Sequence, residues 1–150
     1  MAALFSDTSA IVKRYVSEIG SGWMTAQTSP TVGNVIIISR LTTVEVCSTL
    51  ARLQRANQIS TTDGAHLKAD FLVHADKEYL TVPIDDAVFV RARDLVSKHP
   101  LRTLDAIQLA CALEAASGLG EPLTFLSADI MLLAAAMAEG FTTDNPQSHP

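Results

Sequence analysis

The sequence predicts an α/β domain in which helices cover both faces of a mostly parallel sheet, a three-layer α/β/α fold. Short apolar segments alternate along the chain with longer segments of helical periodicity, the pattern of parallel strands joined by helices. The 150 residues are enough for one domain with its own core. A content of 48% hydrophobic and 18% charged residues, with a mean hydropathy of +0.24, is typical of a globular protein.

The first predicted strand covers residues 3–6, and Asp7 then caps a helix that continues to about Glu18. Gly20 and Gly22 interrupt this helix, and a short helical piece follows them.

The middle of the chain contains two predicted strands and two helices. The β-branched run Val35–Ile38 predicts a buried strand. Helices follow over Thr42–Ala56 and from about Ser60, each with apolar residues at helical spacing. Residues Tyr79–Ile84 fit a strand, and Pro83 within it favours a strand end or a sheet edge.

The last third of the chain continues the alternation of helix and strand. It contains a helix over Asp85–Lys98, a helix over Thr103–Ala116, a strand over Leu123–Leu126, a helix from Ser127 to Gly140 and a short strand at Phe141–Thr142. Residues 145–150 are expected to fray, so the predicted domain spans residues 1–144.

Four acidic residues, Asp7, Glu45, Asp105 and Asp129, lie at the start of predicted helices. Each has an explanation that involves no ligand. Glu45 fits a capping box with Thr42, and a negative charge in a first helical turn is worth about 0.3–1 kcal/mol. Asp7 and Asp129 also lie just past the ends of predicted strands, and ligands of parallel sheets bind beyond the carboxyl ends of the strands.

Gathering these carboxylates in one place would be costly without a counter-charge. Two carboxylates about 4 Å apart repel by roughly 4 kcal/mol at an effective dielectric near 20. A whole domain has only about 5–15 kcal/mol of stability. Capping requires no clustering, whereas a hard cation such as Mg²⁺ or Mn²⁺ would stabilise it. If the four side chains converge, they form a metal site; the residues alone leave both interpretations open.

Four motifs, in this order, resemble the PIN-domain family. They are Ser6-Asp-Thr-Ser-Ala10 after a strand, Thr43-Val-Glu45 on a helix, Leu104-Asp-Ala-Ile-Gln-Leu-Ala110, and Phe125-Leu-Ser-Ala-Asp129 with a following Leu133-Ala-Ala135 and Gly140. The match covers nearly the whole chain. Within the family, the sequence most resembles the VapC-type toxins of toxin–antitoxin pairs. The resemblance implies a Rossmann-like α/β/α domain with the four acids around one or two Mg²⁺ or Mn²⁺ ions.

The resemblance also implies an activity, that of a metal-dependent endoribonuclease. All four acids are the implied catalytic residues, and Asp7, Asp105 and Asp129 are the implied metal ligands. The metal would activate a water that hydrolyses the RNA phosphodiester bond and leaves 5′-phosphate ends. Ser9 and Ser127 occupy positions where the family often carries a supporting hydroxyl.

RNA would have to be bound by local positive charge, because the net charge is −5 and the pI is about 5.2. Arg52 and Arg102 lie close in sequence to predicted site residues, and Lys13 and Arg14 follow Asp7. These four cations are candidate phosphate contacts. The resemblance further implies a cognate antitoxin and a homodimer, with no direct DNA binding expected.

Cysteine usage and apolar runs bear on location. Cys47 and Cys111 match no disulfide or metal pattern, so we expect two buried thiols in a reducing compartment. No signal peptide is recognised, and Val35–Ile38 is far too short to span a membrane. The predicted location is cytoplasmic.

Two other functions fit the same outline. One is a haloacid-dehalogenase-like phosphatase with Asp7 as nucleophile, although Ser9 stands where such enzymes carry a second aspartate. The other is a non-catalytic α/β interaction module whose acidic residues only cap helices.

Overall fold

The computed structural model describes residues 1–150 and contains a sheet of five strands, each parallel to its neighbours. The strands are β1 (Ala3–Ser6), β2 (Val35–Ser39), β3 (Tyr79–Val82), β4 (Leu123–Leu126) and β5 (Thr142–Asp144). Their order in the sheet is β3-β2-β1-β4-β5, which puts β1 in the centre. The strand order therefore reverses beside β1, because β2 and β3 lie on one side of it and β4 and β5 on the other. Parallel sheets bind ligands at such a reversal.

Seven α-helices connect the strands. They are α1 (Thr8–Ile11), α2 (Ser21–Gln27), α3 (Arg40–Arg55), α4 (Thr61–Lys77), α5 (Asp86–Lys98), α6 (Thr103–Leu119) and α7 (Ile130–Ala138), with single 3₁₀ turns at Val12–Arg14 and Pro146–Ser148. Side-chain oxygens of Ser39, Ser60 and Asp85 accept backbone N–H groups three residues ahead and so start α3, α4 and α5. No helix is both long enough and apolar enough to cross a bilayer.

Alternate residues of each strand pack into two apolar layers, one on each face of the sheet. Phe5 and its neighbours Ile37 and Phe125 face the layer formed with α5, α6 and α7. Leu4 and Ile36 face the opposite layer, formed with α1 to α4. The predicted three-layer α/β/α fold is confirmed.

Several predicted boundaries differ from those in the structure. The helix after Asp7 does not reach Glu18, because α1 passes into a 3₁₀ turn that ends at Arg14. Helix α3 begins at Arg40, since the hydroxyl of Ser39 caps it. The last strand is Thr142–Asp144 instead of residues 141–142, and of the two cysteines only Cys111 is fully buried.

The C-terminal segment is held against α2. Residues 146–148 form a 3₁₀ turn, and the His149 ring stacks on Trp23 with a centroid distance of 4.3 Å. Nε2 of His149 also lies 2.9 Å from Oδ1 of Asp144. The contact between Trp23 and His149 joins residues far apart in the sequence, and no local pattern predicts it. Fraying of residues 145–150 and a domain boundary at 144 stay predictions.

Substitution of Gly20 should weaken the packing of the C-terminal segment against α2. Gly20 has a φ of 90°, and a Cβ added there would overlap the carbonyl group of Pro146. Gly20→Ala should therefore lower the free energy of unfolding by about 1–3 kcal/mol, measured by urea denaturation. Gly22→Ala is the matched control, because nothing lies within 4 Å of its added Cβ and alanine favours a helix. Equal effects of the two substitutions on stability would contradict the expected clash between a Cβ at position 20 and the carbonyl group of Pro146.

Candidate active site

The four predicted acidic residues line one open cavity of about 500 Å³ at the carboxyl edge of the sheet. Asp7 follows β1 and Asp129 follows the neighbouring strand β4, as the sequence predicts. Glu45 reaches the cavity from α3 and Asp105 from the first turn of α6. Four segments that are far apart in the sequence thus contribute one carboxylate each.

Asp7 is the most enclosed of the four, with 5% of its surface exposed. Its Oδ1 accepts hydrogen bonds from the Ala10 amide at 2.9 Å and the Ser9 hydroxyl at 2.7 Å, and its Oδ2 accepts one from Ser127 at 2.7 Å. Burial raises the pKa of Asp7 to about 6, against the opposing effect of these hydrogen bonds. Asp7 is therefore both a helix cap and part of the cavity wall.

The two serines connect the ends of β1 and β4 around Asp7. Ser9 Oγ accepts a hydrogen bond from the Ala128 amide at 2.9 Å, and Ser127 Oγ accepts one from the Asp129 amide at 3.0 Å. Each hydroxyl also donates its only hydrogen to Asp7. The hydroxyls of Ser9 and Ser127 thus fix the direction of the Asp7 carboxylate.

The carboxylates of Asp105 and Asp129 repel each other. Burial raises the pKa of Asp105, and the negative charges of Asp129 and Glu45 raise it further, whereas Arg102 lowers it. Asp129 is the N-cap of α7, and its Oδ1 accepts amide hydrogen bonds from Met131 at 2.9 Å and from the next residue at 3.2 Å. The cavity is therefore lined by more carboxylates than cations, five acidic side chains against Lys13, Arg52 and Arg102.

Glu45 does not form the capping box that its spacing from Thr42 suggests. Ser39 caps α3, which leaves Glu45 deeper in the helix and free to point toward α1 and α6. Its Oε1 accepts hydrogen bonds from Thr8 Oγ1 at 2.7 Å and from Gln108 Nε2 at 2.9 Å. Sequence reasoning did not single out Gln108. Its position three residues after Asp105, on the same side of a helix, was the available signal.

The four candidate phosphate contacts differ in their surroundings. Arg52 and Arg102 line the cavity, and Arg102 has 91% of its side chain exposed. Lys13 also lines it but is buried, with its ammonium 2.7 Å from Oε2 of Glu18. Arg14 is not part of the lining.

The guanidinium of Arg14 is occupied elsewhere. Its Nη1 donates to Glu78 at 2.9 Å and to the Tyr79 hydroxyl at 2.6 Å. The 3₁₀ turn that ends at Arg14 directs this side chain away from the cavity. The prediction of Arg14 as a phosphate contact is therefore withdrawn.

The donor set suits a hard divalent cation. No three Asp, Glu, His or Cys side chains approach closely enough to form an assembled metal site. Mg²⁺, however, usually keeps several of its waters and uses only one or two protein carboxylates. Carboxylate oxygens are the ligands such ions prefer. Burial, the largest cause of the raised pKa values of Asp7 and Asp105, makes their charged forms costly, and a bound cation would offset that cost.

A parallel α/β/α sheet with an acidic cavity at its carboxyl edge defines a Rossmann-like domain with a candidate metal site. The sequence matches the model of the PIN domain over residues 4–119, and the chain belongs to the PIN domain family. The predicted family resemblance is confirmed. Asp129 lies beyond the matched residues, so its assignment depends on its position in the cavity.

Several solved structures share this fold. A toxin–antitoxin complex from Klebsiella pneumoniae is 18% identical, with a TM-score of 0.63 and coverage of 96% of this chain and 97% of that one. Mycobacterium tuberculosis VapC20, described as a sarcin-ricin loop cleaving toxin, is 15% identical, with a TM-score of 0.62 and coverage of 93% and 96%. FitAcB from Neisseria gonorrhoeae is also 15% identical, with a TM-score of 0.62 and coverage of 95% and 97%. No curated protein matches the sequence.

Proposed function

We propose that this protein is a metal-dependent endoribonuclease, the toxin of a toxin–antitoxin pair. The observation that carries the proposal is the convergence of Asp7, Glu45, Asp105 and Asp129 on one cavity. Membership of the PIN domain family and the similarity to structures described as toxins support it. The raised pKa of buried Asp7 adds a physical reason, because perturbed carboxylates of this kind are common at functional sites.

Each residue of the proposed site has a distinct task. Asp7, Asp105 and Asp129 would hold Mg²⁺ or Mn²⁺, and Ser9 and Ser127 would keep the Asp7 carboxylate oriented toward it. When bound, the ion supplies Lewis acidity that activates water and neutralises charge on the phosphate.

The remaining residues act on the substrate side of the cavity. Glu45 presents a carboxylate that can orient the attacking water, since its Oε2 accepts no hydrogen bond from the protein. Arg52 and Arg102 are placed to contact RNA phosphates at the cavity. Lys13 is paired with Glu18, so its contribution would require that ion pair to open.

The proposed partners follow from the same comparison. The Klebsiella pneumoniae structure with this fold is described as a toxin–antitoxin complex, and we propose an antitoxin that covers the cavity of this chain. A homodimer and a cytoplasmic location belong to the same proposal. Contact with DNA is described for the VapBC2 complex of Rickettsia felis, and here we assign any such contact to the antitoxin.

Metal removal should separate a nuclease from an interaction module. We expect the protein to cleave single-stranded RNA with Mn²⁺ or Mg²⁺ and to cleave it more than about 100-fold more slowly in EDTA, because no ion is then present to activate water or to neutralise charge on the phosphate. The measurement is gel analysis of labelled RNA, with re-addition of Mn²⁺ as the control. Products should carry 5′-phosphate ends, and 2′,3′-cyclic phosphate ends would contradict hydrolysis by an activated water. Cleavage that persists in EDTA would contradict the proposed dependence on a metal ion.

The phosphatase alternative finds no support at the site. Ser9 stands where a second aspartate would serve as general acid, and its hydroxyl is committed to Asp7 at 2.7 Å. A module without catalytic activity would instead leave both RNA and phosphate esters intact at any concentration of Mn²⁺.

A further inference from the structure

One buried side-chain polar atom in the molecule has no hydrogen-bond partner, Oε1 of Gln108. Gln108 is 2% exposed and lies within a run of buried residues on α6, from Ala106 to Ala112. An unpaired amide carbonyl in such surroundings costs about 1–3 kcal/mol. A leucine would fill the same volume without that cost, so the amide group needs an explanation beyond packing.

The other end of this amide lies at the centre of a polar cluster. Nε2 of Gln108 is 2.9 Å from Glu45 Oε1, 2.9 Å from Thr42 Oγ1 and 3.2 Å from Thr8 Oγ1. The Thr8 hydroxyl itself donates to the same Glu45 oxygen at 2.7 Å. Two donors, one from α1 and one from α6, therefore meet on one oxygen of a side chain from α3.

The orientation of the amide follows from the charge of its neighbour. Rotating the Gln108 amide by 180° would direct its carbonyl oxygen at the Glu45 carboxylate, where two acceptors would repel. The observed orientation places the N–H group there and leaves the carbonyl without a partner. The contact with Glu45 thus outweighs the cost of the unpaired oxygen.

We propose that Gln108 is a positioning residue that acts through Glu45. Its N–H group and the Thr8 hydroxyl hold Glu45 Oε1, which leaves Oε2 without a hydrogen bond from the protein and able to accept one from the hydration shell of a cation in the cavity. A free glutamate side chain would sample many rotamers, and fixing it beforehand removes that entropy from the cost of binding or reaction. The inference depends on the proposed function, because it assumes that the cavity binds a divalent cation.

Gln108→Leu tests this assignment, since it keeps the volume and removes the donor. We expect the affinity for Mn²⁺ without RNA, measured by calorimetry or electron paramagnetic resonance, to fall by about 10-fold or more. The kcat for RNA cleavage should fall by a similar factor while KM changes little, because the side chain of Gln108 is buried and acts through Glu45. Gln27→Leu is the matched control, because Oε1 of Gln27 accepts a hydrogen bond from the Asn34 side chain at 3.1 Å, outside the cavity.

Gln108→Glu separates positioning from packing. Glutamate preserves the shape of the side chain but presents an acceptor to Glu45, so it should lower Mn²⁺ affinity at least as much as Gln108→Leu. If volume alone mattered, Gln108→Glu would instead retain more affinity than Gln108→Leu. If the Gln108 variants fold poorly, Thr8→Val is measured in their place. It removes the second donor to Glu45 Oε1 and should also lower the affinity for Mn²⁺.

The decisive measurement repeats Gln108→Leu in a Glu45→Ala background. A residue that acts through Glu45 should have no further effect on Mn²⁺ affinity there. A loss of equal size in both backgrounds would overturn the proposal, as would wild-type affinity and kcat in Gln108→Leu. If the wild-type protein itself neither binds Mn²⁺ nor cleaves RNA, the proposed function fails first and this inference fails with it.

Discussion

Asp7→Asn should abolish RNA cleavage and yet leave the metal-free protein as stable as the wild type, or more stable. We expect a loss of more than about 100-fold in cleavage rate, because the substitution removes a proposed metal ligand. The buried carboxylate has a pKa of about 6 instead of its ordinary 3.8, which corresponds to a cost of about 3 kcal/mol for its charge near pH 7. Asparagine carries no charge and avoids this cost.

Asparagine also keeps most of the local hydrogen bonds. Its Oδ1 can still accept the Ala10 amide and the Ser9 hydroxyl, whereas its Nδ2 faces Ser127, whose hydroxyl must rotate. The loss of that charged hydrogen bond, about 1–2 kcal/mol, offsets part of the gain. Urea denaturation in EDTA should therefore show a gain of between about 0 and about 2 kcal/mol.

Asp85→Asn is the matched control for this substitution. Asp85 caps α5 through the Val88 amide at 3.1 Å, but it is exposed and lies outside the cavity lining. Because asparagine and aspartate cap about equally well, we expect its stability to change by less than about 0.5 kcal/mol and its cleavage rate to stay normal. Marked destabilisation of metal-free Asp7→Asn would instead assign to the charged Asp7 a mainly structural role.

The sequence predicted the part of the site that depends on local order. Asp7 and Asp129 each follow an apolar strand, and parallel strands bring their carboxyl ends to the same edge. The adjacency of β1 and β4 needs the three-dimensional fold, because these strands are separated by more than 100 residues of the chain. Helix α3 is similarly local, apart from its start at Arg40, behind the N-cap Ser39, in place of Thr42.

The sequence could not predict features that depend on side-chain direction. Arg14 follows Asp7 closely, but the change from α-helix to 3₁₀ turn directs it to Glu78 instead of the cavity. In the sequence Gln108 is one polar residue within the apolar run Ala106–Ala112, and its contact with Glu45 spans 63 positions. Both results depend on tertiary contacts that no local pattern encodes.

Stability of the metal-free protein should also depend on pH in a direction set by Asp7. The folded pKa of about 6 lies above the ordinary value of 3.8, so the folded state binds this proton more tightly than the unfolded state. The resulting stabilisation is fully present below about pH 4 and is lost as the pH rises through about 6. Asp105, whose pKa is also raised, acts in the same direction.

Asp7→Asn isolates this contribution from that of other carboxylates. We expect the free energy of unfolding of the variant, minus that of the wild type, to rise by up to about 3 kcal/mol between about pH 4 and about pH 7 in EDTA. Chemical denaturation at a series of pH values measures it. A difference that stays constant with pH would mean that the Asp7 carboxylate is not destabilised in the folded protein.

Mn²⁺ should reverse this pH dependence, because the ion binds the charged form that protons suppress. At a free concentration of about 100 times its Kd, Mn²⁺ would add about 2.7 kcal/mol to the wild-type stability. The gain should be larger near pH 7 than near pH 5, where a proton occupies Asp7 and competes with the metal. Asp7→Asn should gain much less at both pH values. An equal gain in variant and wild type would place the ion elsewhere on the protein, whereas a gain that requires Asp7 identifies the buried carboxylate as the group whose charge the metal stabilises.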